Sequence, residues 1–365
     1  MSEHPDVLVI GGGVIGLTTA YYLAERGASV AVVDQGDLGR QSSWAGAGIL
    51  TPMKVRPGLT PAEHLKALGV QMYPELSERL KEQTGIDNGY LVSGGLELVG
   101  DGDETDTDEW RADGTEFEEL SAGELRRRFP AVAPNFQRAY FLPGMAQVRN
   151  PRHLKALIAA CELRGVVLSP NCPVQRLVRE ASRLAAVETP QGQLAADRFL
   201  VAGGAWSAGL LEQVGWRPAI RPIRGQIALL HPDRSPIQSL ILRGPLYLVP
   251  RLDGRILVGS TVEDVGFDTR TTASAIANLL EFSETVVPAL AAAPLERCWA
   301  GLRPGSADGL PYLGAVPGCE NLFVAAGHFR SGIQMAPASG VLMAELMLTG
   351  RTELMSLDAF RLDRK

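Results

Sequence analysis

Val7-Leu8-Val9-Ile10-Gly11-Gly12-Gly13-Val14-Ile15-Gly16 is the stretch that decides the fold. Its first four residues are apolar and mostly β-branched, and read as a buried strand. Gly11, Gly13 and Gly16 then satisfy G-x-G-x-x-G. The first allows a tight turn, the second lets a pyrophosphate approach the backbone, and the third lets a helix pack on the strand. Leu17 to Arg26 reads as that helix, whose N-terminal amides suit phosphate. Ser29 to Val33 is a second strand ending in Asp34, about 20 residues past the glycines, where a carboxylate binds ribose hydroxyls. Together these elements predict a dinucleotide site. The competing reading is a glycine-rich strand-to-helix turn that binds nothing.

The 365-residue length suits about two domains, each able to bury a core. A formal net charge of −6 argues against a nucleic-acid partner, and Arg126-Arg127-Arg128 reads as a solvated helix end. The polar, acidic start lacks the features of a signal peptide, and no apolar stretch approaches the ~18 residues of a membrane span. Cys161, Cys172, Cys298 and Cys319 have no C-x-x-C spacing. That points away from a metal knuckle or redox pair and toward buried reduced thiols in a cytoplasmic protein, with a peripheral membrane contact as the open alternative.

Further along, Gly36 to Gly48 is rich in small residues that let the backbone run close to a ligand. Pro61 to Thr84 reads as a helix. Tyr90 to Val99 reads as a strand pair turning at Ser93-Gly94-Gly95, and Asp101 to Asp113 as a solvated acidic excursion rather than a metal loop. Ser121-Ala-Gly-Glu124 is a capping box opening a short helix to Arg128. Pro151 to Gly165 reads as a helix, and Val166 to Leu168 and Pro173 to Arg179 as strands. Phe199 to Val201 is an apolar strand running into glycines. Ile220 to Leu230 and Leu246 to Val262 are β-rich, and Ala273 to Val287 is helical. Leu322 to Gly327 is a last buried strand before a long helix to Leu348, with Gly350 at its C′ position and Pro337 kinking it or marking its true start.

Strands for the dinucleotide sheet thus arrive from the beginning, middle and end of the chain. The expected fold is α/β: a discontinuous Rossmann-like domain (1–88, 140–218 and 299–365) and a second, β-rich α+β substrate domain (89–139 and 219–298).

These residues resemble the FAD-dependent D-amino-acid oxidase family, most closely its glycine oxidase branch. The carrying segments are Gly11 to Gly16 with Asp34, Ser42 to Ile49, Val201 to Ser207, Tyr247-Leu-Val-Pro-Arg251, Trp299 to Gly305, Ala326 to Ile333, and Arg361 to Arg364. The resemblance implies a noncovalent FAD. Its phosphates would lie at Val14 and Ile15, its ribose at Asp34 and Gln35, and its adenine near Val174. Ser42, Ser43, Ala47, Gly48 and Ile49 would line the flavin end. Gly327, His328, Phe329, Arg330, Ser331, Gly332, Ile333 and Gln334 would lie beneath the ring. The position equivalent to the flavin-tethering cysteine of related sarcosine oxidases falls near Gly301, away from Cys298 and Cys319.

An α-amino acid needs a cation for its carboxylate. Arg303 suits it, because a planar guanidinium presents paired donors. The resemblance assigns this role to Arg303 and a second hydrogen bond to Tyr247. A structural ion pair is the alternative for Arg303, and core packing for Tyr247. Arg330 is a further substrate or flavin contact, or else a helix-terminal ion pair. No Asp, Glu or His in these motifs reads as an obligatory catalytic base, and His328 reads as a backbone-positioning residue. Ile49 and Val262 stand where glycine oxidases often carry methionine, and Pro245 where a histidine occurs. Sarcosine, D-alanine or D-proline therefore compete with glycine as the expected substrate.

Molecular oxygen is the expected acceptor, giving hydrogen peroxide, with a homotetramer and a link to thiazole formation in thiamine biosynthesis implied by the family. A dehydrogenase with another electron acceptor, or a non-catalytic flavin-binding subunit, stays open. An NAD dehydrogenase leaves the Gly327 to Ile333 segment without a role.

Overall fold

The computed structural model describes residues 4–100, 107–112 and 114–364. Val7–Ile10 is buried on both faces, as an unbroken apolar run in a parallel sheet should be. Val7 and Val9 enter one core, and Leu8 and Ile10 the other. The strand lies inside a six-stranded sheet ordered Tyr312–Ala315, Leu322–Ala326, Arg198–Val201, Val7–Ile10, Val30–Val33, Val167–Ser169. All pairs are parallel except the antiparallel edge formed by Tyr312–Ala315.

The helices Val14–Glu25, Pro61–Thr84, Asn150–Leu163 and Gly332–Thr349 pack together on one face. The three-stranded meander Arg176–Glu180, Arg183–Thr189, Gly192–Ala195 lies on the other. This is the discontinuous Rossmann-like architecture that the sequence implies.

An eight-stranded, largely antiparallel sheet forms the β-rich part. Its order is Leu295–Ser306, Ile220–Leu230, Ile256–Gly259, Leu246–Pro250, Leu240–Arg243, Gly95–Val99, Arg138–Leu142, Glu118–Ser121. Helix Ala273–Val286 covers one face through Ile276, Leu279 and Phe282. The opposite face, bearing Ile227, Tyr247 and Val249, packs with Ala47 and Ile49 of the dinucleotide-binding part. The domain boundaries expected at 139/140 and 298/299 each fall within a strand of this sheet.

Several elements differ from expectation. The fingerprint helix begins at Val14, not Leu17, because Gly13 serves as its N-cap and places Val14 and Ile15 in the first turn. Leu91–Val92 and Gly95–Val99 do not pair with each other. Ser93 and Gly94 both donate to Met145 O, at 3.2 and 3.0 Å, which sends the first strand to Ala146–Gln147 and the second to Arg138–Leu142. The strand expected from Pro173 runs from Arg176.

Pro337 does not open the last helix, which starts at Gly332. The carbonyl that Pro337 cannot serve, Ile333 O, accepts instead from the Tyr73 hydroxyl at 2.6 Å. Of the acidic stretch, Thr107–Ala112 is helical, while 101–106 and 113 lie outside the described residues. The local signals at Ser121 and Gly350 read correctly: Ser121 makes a full capping box with Glu124, and Gly350 ends the last helix at φ 75°. Thr60 makes the same box with Glu63, a start that the sequence reading did not single out.

Candidate active site

One continuous cavity of ≈ 590 Å³ runs between the two sheets, from Cys172 and Val174 past the fingerprint to Tyr247, Arg303 and Arg330. At the fingerprint, Gly11 has φ 116°, and a Cβ there would stand 2.4 Å from Ala202 O. A Cβ on Gly16 would stand 1.9 Å from Gly11 O, so the helix can approach the strand only because Gly16 has none. Gly16 therefore packs the motif and does not line the cavity, whereas Gly11, Gly13, Val14 and Ile15 do.

No side chain of the N-cap residue satisfies the first-turn amides. Val14 N–H donates to Ser43 Oγ at 2.9 Å, which sets that hydroxyl where a helix N-terminus favours an anion. Asp34 lies on the wall beside Gln35. Its Oδ2 accepts from Gly12 N–H at 2.7 Å and its Oδ1 from Gly36 N–H at 2.9 Å. Burial raises its pKa, against the pull of those two amides. Val174 lines the far end, next to the buried thiol of Cys172. An amide-rich helix start, a carboxylate one strand over and a long slot beyond fit an extended FAD.

The middle of the cavity is walled by Ser42, Ser43, Ala47, Gly48 and Ile49. Asn150 Nδ2 fastens Ser43 O at 2.6 Å, and Trp299 Nε1 fastens Ala45 O at 3.1 Å. A Cβ on Gly301 would lie 2.5 Å from Ala45 Cβ, so a cysteine side chain there would displace Ala45. Cys298 is exposed and Cys319 is buried in the other core. Cys172 is the one thiol among the described cavity residues, and it sits at the Val174 end.

The opposite wall comes from the turn into the last helix. Gly327 and Phe329 have φ 87° and 47°, which aims the start of helix Gly332–Thr349 into the cavity. His328 and the residues from Phe329 through Gln334 line it, while Gly327 lies behind. His328 is buried. Its Nε2 shares a 3.1 Å hydrogen bond with Ser339 Oγ, and burial pushes its pKa down to about 3, so the ring stays neutral.

At the β-rich end, Arg303 projects from Leu295–Ser306. It donates to Thr261 O at 3.0 Å and to Ser260 Oγ at 2.6 Å. The guanidinium lies on Gly225, where a Cβ would stand 2.2–2.4 Å from its Nη2, Nη1 and Cζ. The Tyr247 ring lies likewise on Gly259, 2.7 Å from a Cβ placed there. Burial lowers the Arg303 pKa. The hydrogen-bonding Tyr247 hydroxyl opposes that shift and the Arg330 charge adds to it. The group stays cationic regardless.

Arg330 is exposed and makes one 3.3 Å bond to Pro245 O. Among the described residues no carboxylate forms an ion pair with Arg303 or Arg330. Asp34 is the only acid among the described residues lining the cavity, and it lies at the nucleotide end.

Val262 is the expected pocket residue that the structure does not bring in. Thr261 turns its carbonyl to Arg303 and its hydroxyl to Gln226 N–H, which leaves Val262 51% exposed and off the cavity wall. Ile49 does line it. Sequence reading missed Gly225, Gly259, Ser260 and Gly203 to Trp206. Only the last had a legible signal, a strand running into paired glycines.

The family model described as "FAD dependent oxidoreductase" matches residues 6–346. A glycine oxidase of Pseudomonas putida is 41% identical over 352 residues, covering 94% of each chain. The crystal structure of glycine oxidase from Geobacillus kaustophilus superposes with a TM-score of 0.92 at 32% identity, covering 99% of each chain. That of an iminodiacetate oxidase from Chelativorans superposes at 0.86 and 29% identity, covering 97% of this chain and 98% of that one. Among the described residues no helix is long and apolar enough to cross a membrane.

Proposed function

The chain belongs to the FAD-dependent oxidoreductase family, in its glycine oxidase branch, and from that premise we propose that it oxidises glycine, sarcosine and small D-amino acids such as D-alanine and D-proline. The products are a 2-oxo acid (glyoxylate from glycine), ammonia or an amine, and hydrogen peroxide. The observation that carries this reading is the acid-free guanidinium of Arg303 at the end of the cavity opposite Asp34.

Arg303 offers paired donors to the substrate carboxylate, and the Tyr247 hydroxyl offers another. Held at that end, the α-carbon is fixed against the Ile49 and Phe329 to Gln334 walls, and orientation supplies much of the rate. The fingerprint, Asp34 and the Ser42 to Ile49 segment would hold FAD, which when bound would supply the two-electron acceptor, with oxygen as the terminal oxidant. Among the described residues no acid lines the reacting end and His328 is neutral, so none of these side chains serves as an obligatory base. The amine arrives neutral, and the imine left after oxidation hydrolyses in water. The N-terminus of helix Gly332–Thr349 turns its positive dipole end to the same wall, where it favours negative charge.

By family resemblance, the proposed setting is a homotetramer serving thiazole formation in thiamine biosynthesis. Peroxide and oxo-acid yield in air, measured across the four substrates, tests the reading. Equal peroxide and oxo acid from at least one of them supports it. Substrate-bleached flavin that oxygen does not restore assigns a dehydrogenase instead.

A further inference from the structure

Tyr247 and Arg251 share one face of the strand Leu246–Pro250 and its continuation, four residues apart. Tyr247 lines the substrate end of the cavity. Arg251 leaves its own sheet and reaches into the dinucleotide-binding part. Its Nη2 donates to Ala47 O at 2.7 Å, and its Nη1 to Gln147 Oε1 at 2.6 Å and to Val148 O at 3.1 Å. Gln147 closes the ring by donating from Nε2 to Pro250 O at 2.9 Å. Val148 N–H donates to Gly48 O at 2.8 Å, and Ile49 pairs with Gln147. Through these bonds one side chain grips the segment Ala47 to Ile49, all three residues of which line the cavity.

Arg251 is 8% exposed, and no carboxylate among the described residues ion-pairs with its guanidinium. The nearby Asp253 is taken by Arg149 and Arg255. Burying a cation without an acid is costly, and a carbonyl-binding residue with no charge would avoid that cost. What the guanidinium adds is a rigid fork that holds carbonyls of two neighbouring segments at once.

We propose that Arg251 is a positioning residue for the oxidation. By fastening the strand of Tyr247 to Ala47–Ile49, it sets the spacing between the carboxylate-binding pair and the wall on which FAD lies. This rests on the reading of Tyr247 and Arg303 as that pair. Misplacement by about 1 Å at a reacting centre costs on the order of 100-fold in rate, so the spacing matters more to the reaction than to binding.

The test uses FAD-loaded wild type, Arg251→Met and Arg251→Lys. Two quantities are read: the limiting rate of anaerobic flavin reduction against the substrate dissociation constant, and the visible circular dichroism of the bound flavin without substrate. In Arg251→Met the limiting rate falls at least ~10-fold while the dissociation constant moves less than ~3-fold. The flavin dichroism changes, and Arg251→Lys lies between the two. An unchanged limiting rate and dichroism in Arg251→Met, even with a lower melting temperature, overturns the proposal and leaves Arg251 a simple brace. If Arg251→Met does not load FAD, Arg251→Lys decides on the same criteria. Failure of every small amino acid to bleach the wild-type flavin sinks the substrate reading instead, and the dichroism comparison then decides on Arg251 alone.

Discussion

The Arg303 guanidinium lies on the bare backbone of Gly225, so close that a Cβ there would stand 2.4 Å from Cζ. The neighbouring Gln226 N–H is tied to Thr261 Oγ1, whose own residue offers its carbonyl to Arg303. Gly225→Ala therefore pushes the guanidinium, the free end of a flexible side chain, and leaves the backbone in place. The variant is expected to fold and to hold FAD, with kcat/KM for glycine reduced at least ~10-fold by loss of one charge-assisted hydrogen bond's worth of alignment. Steady-state kinetics alongside the flavin absorbance of the purified protein checks it. Full activity would show that Arg303 need not lie flat.

Removing the cation itself costs more. Arg303→Ala deletes a desolvated charge that binds the opposite charge of the substrate, worth roughly 2–5 kcal/mol, or about 30- to several-thousand-fold in kcat/KM. FAD content should be unchanged, because Asp34 and the fingerprint lie at the other end of the cavity.

Asp34 joins the fingerprint to the loop after the second strand through Gly12 and Gly36. Asp34→Ala loses both bonds and the acceptor for the ribose hydroxyls. Charge-assisted bonds are worth about 1.5–3 kcal/mol each. The FAD dissociation constant, read by fluorescence titration of the apoprotein, should rise at least ~10-fold.

Glu97, paired across strands with Tyr140 and Leu242, gives a pH-dependent stability. Burial pushes its carboxyl up from 4.5 to about 7, against the Gly244 N–H that donates to it. Below pH 4.5 both folded and unfolded chains hold the proton. Between 4.5 and about 7 the unfolded chain releases it first, so this contribution to stability is lost as pH rises through that window. Glu97→Gln keeps an acceptor for Gly244 and removes the charge. It should raise the melting temperature at pH 8, by an effect of order 1–3 kcal/mol, and change it little at pH 4.5. Equal melting temperatures for variant and wild type at pH 8 would contradict the raised carboxyl.

The legible parts of the fold were those set by nearby residues. Ser121 with Glu124 and Gly350 are one-turn signals, and both acted as read. The fingerprint was legible because its apolar strand, glycines and acid lie within one βαβ unit. Distance in sequence defeated the rest. Gly225 and Gly259 read as ordinary strand glycines until Arg303 and Tyr247 come to rest on them. Leu91–Val92 reads as half of a hairpin until Met145, more than 50 residues on, captures the turn amides. Val262 was placed by correspondence with a family position, and the turn of Thr261 toward Arg303 carries it out to solvent. Arg251 stood within a quoted motif, but its partners Ala47 and Val148 belong to the other half of the molecule.

Anaerobic titration of the FAD-loaded protein with glycine tests the central claim most directly. The account predicts that the flavin absorbance bleaches, with one glyoxylate and one ammonia released per flavin, and that Arg303→Ala bleaches far more slowly at the same glycine concentration. A wild-type flavin that stays oxidised with glycine, sarcosine, D-alanine and D-proline alike, or an Arg303→Ala variant that bleaches as fast as wild type, would contradict it.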